Sequence, residues 1–123
     1  VSSVRSSIDS AKDALTAKVC YLSEFLGGDC VTEGDYPAWE YRKESKLRDI
    51  MVDSYKELFG DGPEVKAIHA GLECGLFAKK IPGLDLISLG PNMYDVHTPD
   101  ERLSISSTIR IWEYLKLVLA RLK

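Results

Sequence analysis

The chain has 123 residues, of which 45% are hydrophobic, 28% charged and 9% aromatic, a composition typical of one globular domain. The chain has 16 Lys and Arg against 19 Asp and Glu, so its formal net charge is -3. It lacks the excess of basic residues that binds the phosphate backbone of a nucleic acid. No apolar run reaches the roughly 18 residues of a membrane span, and residues 1–10 lack the pattern of a secretion signal. We therefore expect neither a nucleic-acid partner nor a membrane.

Residues 1–41 are predicted to form a strand, a helix and a second strand. Residues 4–9 alternate as in a short strand, and because the chain starts without Met we expect an N-terminal part before it. Ser10 and Asp13 have the spacing of a capping box, which predicts a helix from about residue 10 to the two glycines after residue 26. Residues 30–32 favour a short edge strand.

Residues 42–123 are predicted to alternate between helix and strand. Ser45 is a candidate N-cap for a helix with a broad apolar face that ends before Gly60. The further predicted elements are a strand at 65–68, a turn at 71–75, a helix at 76–80, a strand at 84–89, an exposed loop at 90–102 and a helix at 109–122. This alternation predicts an α/β fold in which helices cover a layered sheet, with a domain boundary in the charged stretch 42–44.

The cysteines point to a reducing environment. The chain has 3 of them, Cys20, Cys30 and Cys74, an odd number without a CxxC pair. This pattern fits reduced thiols better than a disulfide framework. We therefore expect a cytoplasmic protein.

The 2 histidines, His69 and His97, lie in short segments rich in glycine, proline and acidic residues. A loop at the end of a strand favours a metal ligand, because the strand aims the loop and leaves the metal an open position. His97 fits that description. A surface histidine with acidic neighbours fits it as well, since a metal site needs three or more ligands. Spacing alone leaves both interpretations open.

Three further residues are candidates for chemistry. Glu73 lies between glycines, where the backbone can approach a ligand and a carboxylate can bind an ammonium group, but an acid in the first turn of a helix is equally ordinary. Cys74 could act as a nucleophile with either histidine, yet no orienting residue is evident and a buried thiol is the more frequent role. Arg5 could bind a carboxylate with its guanidinium fork, or be a solvated arginine on an edge strand.

Several ordered segments resemble a known family. They are residues 4–10 (VRSSIDS), 34–39 (GDYPAW), 68–77 (IHAGLECGLF), 87–91 (ISLGP) and 97–102 (HTPDER). These segments resemble the aminoacyl-histidine dipeptidases, also called Xaa-His or cytosolic nonspecific dipeptidases, of the two-metal aminopeptidase and carboxypeptidase group. The resemblance spans nearly the whole chain and places it in the C-terminal part of such an enzyme.

The resemblance implies a catalytic α/β domain with an inserted lid domain. Residues 1–41 would be the closing part of that lid, and residues 42–123 the C-terminal portion of the catalytic domain. It further implies that His97 binds zinc in a site of two divalent metal ions, and that Glu73 and Arg5 bind the two ends of a dipeptide. The general base and the other metal ligands would lie in the missing N-terminal part.

Two functions follow as alternatives. The first is part of a metal-dependent dipeptidase, which hydrolyses Xaa-His and other dipeptides through a water activated by two metal ions. The second is a non-catalytic binding or assembly module derived from that enzyme, because the catalytic half has no match in these residues. The expected partners are the dipeptide substrate, the missing N-terminal part and a second copy in a homo-oligomer. The isolated chain is expected to be inactive.

Overall fold

The computed structural model describes residues 1–68 and 72–123. This part of the chain contains the helices α1 Asp9–Phe25, α2 Lys46–Phe59, α3 Glu73–Lys80 and α4 Ile105–Arg121, and the strands β1 Met93–Tyr94 and β2 Arg102–Leu103. The two strands pair antiparallel, with Met93 opposite Leu103 and Tyr94 opposite Arg102. The fold is therefore a set of helices with one small sheet.

The chain divides into two compact units. Unit 1 comprises Val1–Lys43 and Val65–Leu86, and unit 2 comprises Glu44–Glu64 and Ile87–Lys123. One change of unit falls between Lys43 and Glu44, within the charged stretch 42–44 proposed as a domain boundary. The assignment of residues 1–41 to a lid and 42–123 to a catalytic domain stays a prediction. Among the described residues, no helix is long and apolar enough to cross a membrane.

Helix α1 of unit 1 confirms the predicted helix, but it begins differently. Its N-cap is Ile8, without a side-chain hydrogen bond, so the predicted capping box at Ser10 is wrong. Instead, the Asp9 carboxylate accepts a hydrogen bond of 2.9 Å from the backbone N–H of Ala38. This bond, followed by the ammonium group of Lys12, lowers the pKa of the Asp9 carboxyl. A residue distant in sequence thus ties down the first turn.

A disulfide joins α1 to the segment that follows it. Cys20 and Cys30 are bonded, and their Cα atoms are 5.2 Å apart, within the range that a disulfide spans. Cys74 is free and half-buried. The expectation of reduced cysteines is wrong for this pair, because the chain turns back after α1 at Gly27, where φ is 85°, and brings Cys30 to the helix.

Unit 2 is built on contacts between α2 and α4. Its buried apolar side chains, Met51 of α2 with Tyr114 and Val118 of α4, are surrounded by the partly buried Leu47, Ile50, Tyr55, Phe59, Ile87 and Ile111. The Tyr114 hydroxyl donates a hydrogen bond of 2.8 Å to the backbone carbonyl of Met51. The Tyr55 ring meets Tyr114 edge-on, at 5.4 Å between centroids. One buried polar bond therefore fixes how the two helices meet.

The limits of α2 are as predicted. Ser45 is its N-cap and accepts a hydrogen bond of 3.0 Å from the backbone N–H of Arg48. The helix ends at Gly60, whose φ of 85° is a left-handed conformation that favours glycine. The last helix also exists, although it begins at Ile105, where Ser104 is the N-cap.

The strands predicted at residues 4–9, 30–32, 65–68 and 84–89 are absent from the described residues. A β-prone segment becomes a strand only where a neighbour pairs with its N–H and C=O groups. The only pairing in the described part lies within residues 90–103, a stretch predicted to be mainly loop. The mixed helix and sheet content is thus confirmed, and the layered sheet is not seen. The predicted turn at 71–75 lies partly outside the described residues.

We expect Tyr114→Phe to lower the free energy of unfolding of unit 2 by about 1–2 kcal/mol, because the ring stays while the Met51 carbonyl loses a buried donor. Urea unfolding followed by circular dichroism measures the change. Tyr21→Phe is the matched control, since Tyr21 is 67% exposed. Equal stability of both variants would contradict the role given to the Tyr114 hydroxyl.

Candidate functional site

His97 lies in the loop that joins β1 to β2, and its side chain is exposed. Its backbone is left-handed, with φ of 65°, and that of Asp95 has φ of 50°. These are the non-glycine residues with positive φ in the described part of the chain. Left-handed backbone at a non-glycine residue is uncommon and tends to occur at functional sites.

Hydrogen bonds within the loop hold this conformation. The His97 backbone N–H donates to Oε2 of Glu101 at 2.9 Å. The Thr98 hydroxyl donates to the Asp95 carbonyl at 2.6 Å, and the Glu101 backbone N–H donates to the Thr98 carbonyl at 3.2 Å. An ion pair between Arg102 and Asp95 closes the base of the loop. His97 is thus presented from a turn with many internal bonds.

The loop is attached to the start of α4. The Ser104 backbone N–H donates to the Asn92 carbonyl at 3.0 Å, and the Asn92 N–H donates to the Ser107 hydroxyl at 2.9 Å. Ser107 is buried in the first turn of α4. Because α4 is fixed by the Tyr114 contact with α2, the core of unit 2 determines where the base of the loop lies.

Glu73 is the first residue of α3, in unit 1, and is exposed. An acid at this end of a helix is favoured by the helix dipole, as one of the two interpretations of the sequence held. The sequence linked the glycines beside Glu73 to the approach of a ligand, and the structure gives a different reason for Gly75. A Cβ on Gly75 would lie 2.7 Å from the Pro37 carbonyl oxygen, so this glycine permits close packing within the protein.

Cys74 lies beside Glu73 and is half-buried. Burial, followed by the negative charge of Glu73, raises the pKa of the Cys74 thiol. A nucleophilic cysteine needs a lowered pKa to form thiolate at neutral pH. Partial burial and a raised pKa thus favour the other role considered for Cys74, a structural thiol. His69, the other histidine considered for that role, lies outside the described residues.

Arg5 lies in unit 1 before α1 and is exposed. Its Nε donates a long hydrogen bond of 3.4 Å to the Ser3 hydroxyl. The residues around it do not form the strand on which the sequence placed it. A guanidinium group that is accessible to solvent keeps its fork available for a carboxylate.

The candidate residues are divided between the units, with Arg5 and Glu73 in unit 1 and His97 in unit 2. Within the described residues, no group of three or more His, Cys, Asp or Glu side chains could hold a metal ion. His97 is therefore one potential ligand, and these residues do not build a metal centre by themselves.

No family model matches the chain. Its sequence is 38% identical over 112 residues to the cytosol non-specific dipeptidase of Escherichia coli K12, covering 91% of this chain and 23% of the relative. Its fold is similar to that of aminoacylhistidine dipeptidase from Vibrio alginolyticus, with a TM-score of 0.74 and 33% identity. The predicted resemblance to aminoacylhistidine dipeptidases is confirmed.

The structural match covers 93% of this chain and 23% of the Vibrio aminoacylhistidine dipeptidase. The chain aligns with the C-terminal part of the Escherichia coli dipeptidase. It is also 33% identical over 88 residues, 71% of its length, to 26% of a Pyrococcus abyssi protein described as a LysW-lysine and LysW-ornithine hydrolase. The chain thus spans about a quarter of the length of these proteins, all named as hydrolases.

Sequence reasoning missed the residues that support the candidates. The sequence presents Glu101 only as one of the acidic neighbours of His97, although its position four residues after His97 suits a turn that brings the chain back to it. Gly75 was considered only as an aid to ligand approach. The spacing of four residues between His97 and Glu101 could have predicted their contact. The contact of Gly75 with Pro37 joins distant parts of the chain, so local sequence could not have predicted it.

We expect Gly75→Ala to destabilise unit 1 by about 1–3 kcal/mol, because the added Cβ overlaps a backbone oxygen. Alanine favours a helix over glycine by about 1 kcal/mol, which is too little to turn the loss of stability into a gain when Pro37 cannot move. Gly90→Ala is the control, since a Cβ there meets nothing within 4 Å. Thermal unfolding measures both, and a Gly75→Ala variant as stable as the control would contradict the close contact.

Proposed function

We propose that these residues form the C-terminal part of a metal-dependent dipeptidase that hydrolyses Xaa-His and other dipeptides. The observation that carries this proposal is the similarity to two dipeptidases over more than nine tenths of the chain, at 38% and 33% identity. Agreement in both sequence and fold over so much of a chain favours a shared role. The name of the Escherichia coli relative supports a cytoplasmic location. Disulfides are rare in that compartment, so the Cys20–Cys30 bond should be checked by counting free thiols in the purified enzyme.

In this proposal, His97 is one of the zinc ligands. An imidazole on an exposed loop can reach a metal held largely by other segments, and imidazole nitrogen is a common zinc ligand. Two divalent ions in the complete enzyme would supply an activated water and polarise the scissile carbonyl. The remaining ligands and the general base are assigned, by the resemblance to the dipeptidases, to the part of the enzyme that precedes these residues.

Arg5 and Glu73 are proposed to bind the two ends of the dipeptide. The planar guanidinium group of Arg5 matches the geometry of a terminal carboxylate, and the Glu73 carboxylate complements a terminal ammonium group. Both side chains are exposed, so each is accessible to a ligand. Fixing both ends of a dipeptide places its single peptide bond and thereby selects for length.

The surface of the chain supports further partners. Large exposed apolar side chains lie on α1, including Tyr21 and Phe25, and on α4, including Ile109 and Trp112. We assign these faces to contacts with the preceding part of the enzyme and with a second copy in a homo-oligomer. In that assembly, residues 1–41 belong to the lid and residues 42–123 to the catalytic domain.

A non-catalytic binding or assembly module is the alternative function. The lack of a metal cluster within the described residues favours it. The module would be established if the purified full-length protein held no zinc, hydrolysed no dipeptide and bound a partner protein stably. Zinc-dependent hydrolysis of an Xaa-His dipeptide would reject it.

We expect His97→Ala in the complete enzyme to lower both zinc content and the turnover of an Xaa-His dipeptide at least tenfold, because the loss of one ligand opens the site. Zinc is measured by inductively coupled plasma mass spectrometry after dialysis. Lys116→Ala is the control, since Lys116 pairs with Glu113 on an exposed face of α4. Unchanged zinc and turnover in His97→Ala would leave His97 as a surface residue.

We expect Arg5→Lys to raise KM for a dipeptide about tenfold and KM for the same dipeptide amidated at its C-terminus less than about twofold. An ammonium group cannot replace a bidentate fork, and the amide has no carboxylate to lose. Arg42→Lys is the control, because Arg42 donates to the Gly83 carbonyl within unit 1. Equal losses on both substrates would assign Arg5 a structural role.

A further inference from the structure

We propose that Glu101 is the positioning residue for His97. Its carboxylate accepts a hydrogen bond from the His97 backbone N–H and thereby holds the histidine in the left-handed conformation from which the imidazole would reach the metal ion. This inference rests on the proposed role of His97 as a metal ligand.

The first step of the argument is the conformation of His97. Its φ of 65° places the Cβ close to the following carbonyl oxygen, so this conformation needs compensating contacts to persist. The bond of 2.9 Å from the His97 N–H to Oε2 of Glu101 is such a contact.

The second step is that the turn itself delivers Glu101 to His97. The Thr98 backbone N–H and hydroxyl both donate to the Asp95 carbonyl, at 3.2 Å and 2.6 Å. The Glu101 N–H donates to the Thr98 carbonyl at 3.2 Å, which turns the chain back. Because these bonds fix the backbone of Glu101, only its side-chain torsions remain to be ordered for the carboxylate to reach the His97 N–H.

The third step concerns the base of the loop. The Arg102 guanidinium group pairs with Asp95 and lies 5.5 Å from the centre of the Tyr94 ring. The pairing of β1 with β2 brings these residues together across the hairpin. These contacts set the ends of the loop, whereas the Glu101 contact acts on the backbone of the histidine itself. Loss of Glu101 should therefore free His97 without opening the hairpin.

The test uses four variants of the complete enzyme. Glu101→Ala removes the acceptor, and Glu101→Gln keeps an acceptor oxygen at the same reach. Glu101→Asp keeps the charge but is one methylene shorter. Asp100→Ala is the matched control, because it removes a neighbouring negative charge and leaves the Glu101 acceptor in place.

The first readout is independent of catalysis. Hydrogen exchange of the His97 amide in the metal-free enzyme, measured by mass spectrometry with electron-transfer fragmentation, should be at least tenfold faster in Glu101→Ala and Glu101→Asp. Glu101→Gln should stay within about threefold of the parent, and Asp100→Ala should match it. Where Glu101→Ala fails to fold, the Asp and Gln pair carries the same comparison.

The second readout is zinc affinity, measured by competition with a chelating dye. Removal of a group that orients a metal ligand typically weakens metal binding by 10–100-fold, and we expect this of Glu101→Ala and Glu101→Asp, with most of the affinity kept in Glu101→Gln. With zinc in excess, KM for a dipeptide should stay within about twofold of the parent, since Glu101 does not touch the substrate in this proposal.

Unchanged exchange or unchanged zinc affinity in Glu101→Ala and Glu101→Asp would overturn the inference, as would a Gln variant as impaired as the Ala variant. The proposed function fails separately, when His97→Ala keeps its zinc. If His97→Ala loses zinc and the Glu101 variants do not, His97 remains a ligand and Glu101 has no positioning role.

Discussion

The hydrogen bond from the Tyr114 hydroxyl to the Met51 carbonyl is the interaction on which unit 2 depends. It lies within the small group of buried side chains, where the Tyr114 hydroxyl would otherwise lack a partner and the Met51 carbonyl gains a second donor beside its helical one. The bond fixes α4 against α2, and the first turn of α4 in turn holds the base of the hairpin through Ser107. The place of His97 therefore follows from a contact in the core.

Unit 1 uses short links between distant parts of the chain instead of a large core. The Lys12 ammonium donates to the Asp35 carboxylate at 2.6 Å and to the Tyr36 carbonyl at 2.7 Å. The next residue, Pro37, is buried and meets Gly75 of α3. The segment between Asp35 and Ala38 is thus held by α1 and also contacts α3. Because exposed ion pairs contribute little alone, the close contact at Gly75 is the stronger constraint on where Glu73 lies.

The elements that sequence reasoning predicted well are those set by nearby residues. Helix α2 was predictable because Ser45 and Gly60 act on the turns beside them. The strands predicted at 65–68 and 84–89 are absent from the described residues, since strand formation depends on a partner that local composition cannot reveal. Cys20 and Cys30 show the same limit, because their pairing depends on how the chain folds back. His97, Glu73 and Arg5 were recognisable as candidates from sequence motifs. The supporting roles of Glu101 and Gly75 depend on contacts in the folded chain, which the motifs do not show.

The central claim is that these residues form the C-terminal part of a metal-dependent dipeptidase and that His97 is one of the ligands of its metal ions. The most direct measurement is a crystal structure of the complete enzyme with zinc, using anomalous scattering at the zinc edge. We expect an anomalous peak about 2.0–2.1 Å from an imidazole nitrogen of His97. Zinc bound elsewhere, with His97 exposed to solvent, would contradict the claim.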